Sequence, residues 1–139
     1  MFQRAGSLFQ TLQGYLATIT SAEENQIAAE QAAGAGWIGA SDQLVEGEWN
    51  WVTGPEGLLN DGDGLPFWVG QGAETGGGPV NGQYSNWNNN PSEPNQSGNE
   101  DYAHITDDSI GLVGSWNDLT NTGSTNPSSA YHPQGYIVE

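Results

Sequence analysis

Two oxygen-bearing side chains, the Glu93 carboxylate and the Asn95 carboxamide, stand two residues apart with Pro94 between them. An X–Pro bond tolerates the cis form far better than any other peptide bond, and a cis bond at Pro94 turns both side chains toward one point. Glu100 and Asp101 follow in the same loop, and Asn117 and Asp118 add a second amide and carboxylate directly after Trp116. Calcium takes about six to eight hard oxygen ligands in a flexible shell. Glu93, Asn95, Glu100, Asn117 and Asp118 can converge on such an ion with no nitrogen or sulfur ligand.

These residues need elements to hold them. Ser7 to Gln13 has Leu8 and Leu12 four apart and Gly14 as a stop, a short helix pattern. Tyr15 to Ile19 reads as a strand. Ser21 and Glu24 have capping-box spacing and open an Ala-rich helix that runs to Gly34; Glu23 and Glu24 are then explained by the helix N-terminus rather than by catalysis. Trp37-Ile38-Gly39 is a short buried strand, and Glu48 to Val52 alternates, with both Trp rings on one face as core. Thr53 to Gly82 is a long Gly-rich connection in which Phe67-Trp68-Val69 plugs the loop to the body, while Asp61 and Asp63 lack the later ligands of a calcium loop. Tyr102 to Thr106 reads as a strand, so His104 is a satisfied sheet histidine. Trp116 belongs to the core and directs Asn117 and Asp118 outward. Asn121 to Pro133 is a second polar loop before a last strand from Gly135.

Composition narrows the function. The 139 residues form one domain, 1–139, able to bury a core if the six Trp, five Tyr and three Phe are mostly inside. A single Arg, no Lys and a formal net charge of −16 leave nothing to neutralise phosphates, which excludes nucleic acid and anionic membranes. Self-repulsion on that scale makes divalent cations or a salty medium expected companions of the folded form. The absence of cysteine removes disulfides, thiolate nucleophiles and zinc–thiolate sites. No apolar run reaches membrane-spanning length and no signal-peptide core follows Met1. A chain ending on a strand without a tail is expected to be a domain excised from a larger protein.

Set in order, Gly14-Tyr15-Leu16-Ala17-Thr18-Ile19, Ser21-Ala22-Glu23-Glu24-Asn25, Trp37-Ile38-Gly39-Ala40-Ser41-Asp42, Gln83 to Trp87, Glu93-Pro94-Asn95, Asn99 to Ile105 and Ser115 to Leu119 resemble the C-type lectin domain over nearly the whole chain. The resemblance implies an α+β C-type lectin-like fold, two short helices packed on small antiparallel sheets with long calcium-binding loops. It also implies a strand before the first helix, for which Met1 to Gly6 barely leaves room. It implies that Glu93, Asn95, Glu100, Asn117 and Asp118 ligate Ca2+, with the first four also meeting sugar hydroxyls. An accessory ion is implied at Asp42, Glu46 and Asp101, where Gln96 replaces a usual acid. The positions of the cysteines common in animal members correspond to Tyr102, Asn121 and Val138, and their replacement points to a microbial source. The Glu-Pro-Asn order resembles the mannose-type rather than the galactose-type signature, although the loop from Asn95 to Glu100 is a residue shorter than in mannose-binding animal relatives.

The expected function is therefore calcium-dependent binding of mannose-, glucose- or fucose-containing glycans by an extracellular or cell-surface adhesin, with neighbouring domains of a larger protein as further partners. The alternative is a calcium-stabilised module binding protein or ice. A glycosidase using Glu93 and Glu100 is disfavoured, because nothing apolar beside them would raise one pKa for acid duty.

Overall fold

The computed structural model describes residues 14–139; the expected Ser7–Gln13 helix and any strand before it lie outside the described residues. Helix α1, Ala22–Gln31, starts where the capping box places it. Ser21 Oγ accepts the Glu24 N–H at 3.2 Å, and the Glu24 carboxylate accepts from Thr20 N at 3.1 Å. The helix stops three residues short of Gly34. Ala32 turns extended, and Gly34, at φ 137°, lies so close to Gln134 that a Cβ would sit 2.6 Å from it, because strand β1 must begin at Ala35.

Strand β1, Ala35–Ser41, is buried along its whole length and organises the sheet. One edge pairs antiparallel with β5, Tyr102–Ile105, which pairs with β6, Trp116–Leu119. The other edge is shared: its end, Ala40 and Ser41, pairs antiparallel with β2, Glu48–Trp51, and its start pairs parallel with β7, Pro133–Tyr136. Tyr15 to Ile19 is not a full strand. Its backbone bonds both to the chain end (Ala17 N to Ile137 O, 2.8 Å) and to β1 (Gly39 N to Ala17 O, 2.8 Å), leaving only a Leu16–Val138 bridge.

The 53–82 connection is more ordered than its glycines indicate. It holds a one-turn helix α2, Gly54–Gly57, and strands β3, Leu65–Val69, and β4, Gly78–Pro79, which extend the sheet from β2. Phe67-Trp68-Val69 is thus part of a sheet strand, not a plug, because Trp49 pairs with Trp68 and the Phe67 ring stacks 4.7 Å from Trp51. Gly64 permits the approach; a Cβ there would lie 2.2 Å from the Trp51 carbonyl. Asp61 and Asp63 are exposed turn residues.

Alternation in β6 divides the core in two. Trp116 packs edge-on to Trp51 at 5.5 Å, Trp87 at 5.8 Å and Phe67 at 6.0 Å, in the larger cluster with Trp49. Leu119, on the opposite face, packs with Leu16, Trp37 and Tyr102, and Tyr131 leans on that cluster. Each aromatic contact of this kind is worth about 0.5–1.5 kcal/mol beyond area burial. His104 is buried in the sheet as expected but only half satisfied: Nδ1 lies 2.8 Å from the Ile105 carbonyl, Nε2 has no hydrogen-bond partner, and burial pushes the imidazole pKa down to about 4.

Candidate functional site

The aromatic core fixes the loop that carries the oxygen donors. Trp116 N donates to Asn86 O and Asn88 N to Trp116 O, both at 2.8 Å, so residues 86–88 run beside β6. Trp116 Nε1 donates to Asn25 Oδ1 at 2.7 Å, and Asn25 Nδ2 donates to Gly114 O at 3.0 Å, tying α1 to the start of β6. Asn25 is thereby a positioning residue: it falls within the Ser21–Asn25 motif, but that motif does not reveal its contact 91 residues away. From Asn88 the chain turns, with Glu93 N bonding Asn88 O at 2.8 Å, and passes through a cis Glu93–Pro94 bond.

Four of the five expected primary donors, Glu93, Asn95, Glu100 and Asn117, line one cavity, while Asp118, beside Glu93, lines another. Asn95 Nδ2 donates to Glu93 Oε1 at 2.9 Å. Asp118 accepts Asn95 N on Oδ1 and Gln96 N on Oδ2, each at 3.0 Å. Ser97 N is shared by Asn95 Oδ1 at 2.9 Å and Glu100 Oε2 at 3.1 Å. Asn117 and Asp118 do not point outward to solvent: both are buried, and strand alternation sends them to opposite sides of β6. Asn117 lines a cavity of about 440 Å³ together with Glu93, Asn95, Glu100 and Tyr131, whereas Asp118 lines a smaller one with Asp42, Glu46 and Gln96.

Two buried acceptors, Glu93 Oε2 and Asn117 Oδ1, have no hydrogen-bond partner. Unsatisfied buried acceptors are costly, and a cation is one group that could satisfy them. The electrostatics agree. Glu93 is only 2% exposed, and burial, then the adjacent Asp118 carboxylate, pushes its pKa up to about 9. Burial and Asp118 likewise push Glu100 up to about 7. This corrects the expectation that nothing near these acids raises a pKa: desolvation in the folded loop does so, although the local sequence is polar.

The second expected set also assembles. Asp42, Glu46 and Asp101 bring one carboxylate oxygen each within 4.8 Å of the others, an acidic cluster that could hold a metal. Asp42 is buried, with Oδ2 accepting Gly47 N at 2.9 Å and Oδ1 without a partner; burial and Glu46 push its pKa up to about 8. Asp101 is also raised, by burial and by Glu46. Gln96 Nε2 donates to Glu46, so the amide that replaces a usual acid closes this cluster with a neutral donor.

The family model described as the Lectin C-type domain matches residues 1–126. The chain is 40% identical over 130 residues to halomucin of Haloquadratum walsbyi, an alignment that covers 92% of this chain and 1% of halomucin. The chain therefore spans about one hundredth of that relative. This likeness, with the absence of cysteine, agrees with the microbial character expected above. Among solved structures, the carbohydrate-recognition domain of the mouse scavenger receptor C-type lectin superposes with a TM-score of 0.57 at 26% identity, over 85% of this chain and 72% of that one. A calcium-independent type II antifreeze protein superposes with a TM-score of 0.55 at 26% identity, over 85% and 68%.

Proposed function

Because this chain belongs to the C-type lectin domain family, a family of non-catalytic lectin domains, we propose that it is a calcium-dependent carbohydrate-binding module of a larger extracellular or cell-surface adhesin. The observation that carries this reading is the pair of buried, partnerless acceptors, Glu93 Oε2 and Asn117 Oδ1, at a 440 Å³ cavity. Glu93, Asn95, Glu100, Asn117 and Asp118 would hold the ion. Calcium supplies open coordination positions that take the oxygens of two neighbouring sugar hydroxyls directly into its shell.

The protein groups give direction. Glu93 and Glu100 accept hydrogen bonds from hydroxyls, and Asn95 and Asn117 can donate from their amides. The order of acceptor and donor in Glu93-Pro94-Asn95 supports mannose-, glucose- or fucose-type glycans over galactose. The raised pKa of Glu93 comes first from burial and then from the Asp118 and Glu100 carboxylates, whose charge a shared cation would neutralise, so it does not by itself argue for a glycosidase. Asp42, Glu46 and Asp101 would hold an accessory calcium. With one hexose in a shallow site, affinity is expected at about −4 kcal/mol, a millimolar dissociation constant, so adhesion relies on linked or neighbouring copies.

A glycan array probed with calcium and with chelator tests the reading: mannose-family glycans retained only with calcium support it, and retention indifferent to chelator overturns it. The second reading is a calcium-stabilised module that binds protein or ice; likeness to a calcium-independent type II antifreeze protein supports only its ice-binding form and not the calcium, and a blank array together with calcium binding would select it.

A further inference from the structure

The far wall of the 440 Å³ cavity comes from the 120–131 segment, which contributes Thr120, Gly123, Ser124, Ser129 and Tyr131. None of these is in the donor set above. The cavity measures about 440 Å³, and this wall extends it beyond the Glu93–Asn95 end. Its volume falls within the roughly 300–1,000 Å³ typical of ligand pockets, although it is open to solvent.

The wall is internally braced. Ser124 N donates to Tyr131 O at 3.0 Å, His132 Nδ1 lies 2.8 Å from Ser124 O, Tyr131 N donates to Ser129 Oγ at 3.2 Å and His132 N to Ser129 O at 3.0 Å. Tyr131 leans on the Leu16–Trp37–Tyr102–Leu119 cluster, stays half-buried and lines the cavity.

The chemistry of the wall selects a ligand class. Thr120, Ser124 and Ser129 offer neutral hydroxyls that both donate and accept, and Tyr131 offers an aromatic face. It has no carboxylate to hold a second cation and no cation to hold an anion. A neutral polyhydroxylated ring fits it.

We propose that the 120–131 wall forms a second sugar subsite, with Tyr131 as its stacking platform, so that the module reads a glycan of at least two residues rather than a terminal monosaccharide. This rests on the carbohydrate reading of the Glu93–Asn95 end, and the ligand class is a neutral oligosaccharide.

The test is calorimetric titration in calcium with methyl α-mannoside and with an α-linked dimannoside, on wild type, Tyr131→Phe and Tyr131→Ala. The ratio of the two affinities is the readout. We expect the dimannoside to bind wild type about fivefold more tightly, Tyr131→Phe to keep that ratio, and Tyr131→Ala to bring it to about one. An equal ratio in all three proteins overturns the subsite while leaving the primary reading intact; failure of both sugars to bind wild type overturns both. Should Tyr131→Ala not fold, nuclear Overhauser contacts on wild type between the Tyr131 ring and the second mannose decide the matter, their absence overturning the proposal.

Discussion

Asp118 holds Asn95 by its backbone: Oδ1 of the fully buried carboxylate accepts the Asn95 N–H at 3.0 Å, while Oδ2 accepts the next N–H, that of Gln96, at the same distance. One side chain on β6 thus sets the path of the loop that presents Glu93 and Asn95. Asp118→Ala leaves both N–H groups without their acceptor and should lower stability by about 1–3 kcal/mol. Denaturant unfolding in chelator checks this apart from any metal, and an unchanged midpoint would show that the loop is held by other contacts.

The pH dependence has a definite sign. Glu93 is raised from 4.5 to about 9, Glu100 from 4.5 to about 7, and Asp42 from 3.8 to about 8, in each case first by burial. The native state therefore binds more protons than the unfolded chain between about pH 4 and 9, and metal-free stability falls as pH rises through that window. Calcium competes with those protons, so its affinity should climb over the same range, with proton release on binding. Melting temperatures in chelator from pH 5 to 9 should decline, and in saturating calcium the decline should vanish. A metal-free stability that rises with pH would contradict the account.

The cluster of Asp42, Glu46 and Asp101 predicts an accessory equivalent of calcium. Asp42→Ala removes its buried carboxylate, so the calorimetric stoichiometry should fall while mannoside binding at saturating calcium persists. Unchanged stoichiometry would refute the accessory site.

Specificity should follow the order of acceptor and donor. In Glu93→Gln/Asn95→Asp the two roles exchange across the cis Pro94, and competition should shift toward galactose by about tenfold, near 1.4 kcal/mol. No shift in that double variant would place the selectivity elsewhere in the cavity.

Legibility in the sequence tracked the range of the interactions. Glu93-Pro94-Asn95, Trp116-Asn117-Asp118 and the Ser21–Glu24 cap are contiguous or closely spaced, so residue type and offset sufficed to read them, and the family and α+β class followed. Strand β3 was hidden because its evidence is pairing with β2, not the Gly-rich sequence around it. The burial of Asn117 and Asp118 is not legible in Trp116-Asn117-Asp118 because it comes from distant residues: Glu93, Asn95 and Glu100 beside Asn117, and Asp42, Glu46 and Gln96 beside Asp118. The roles of Asn25, inside the Ser21–Asn25 motif, and of Tyr131 are not legible for the same reason: each acts through partners far along the chain.

The most direct test of the central claim is a titration of methyl α-mannoside into the wild-type protein, first in saturating calcium and then in chelator. Binding with a dissociation constant of about 1 mM in calcium and none in chelator is the predicted result. Equal binding in the two conditions, or none in either, would contradict it.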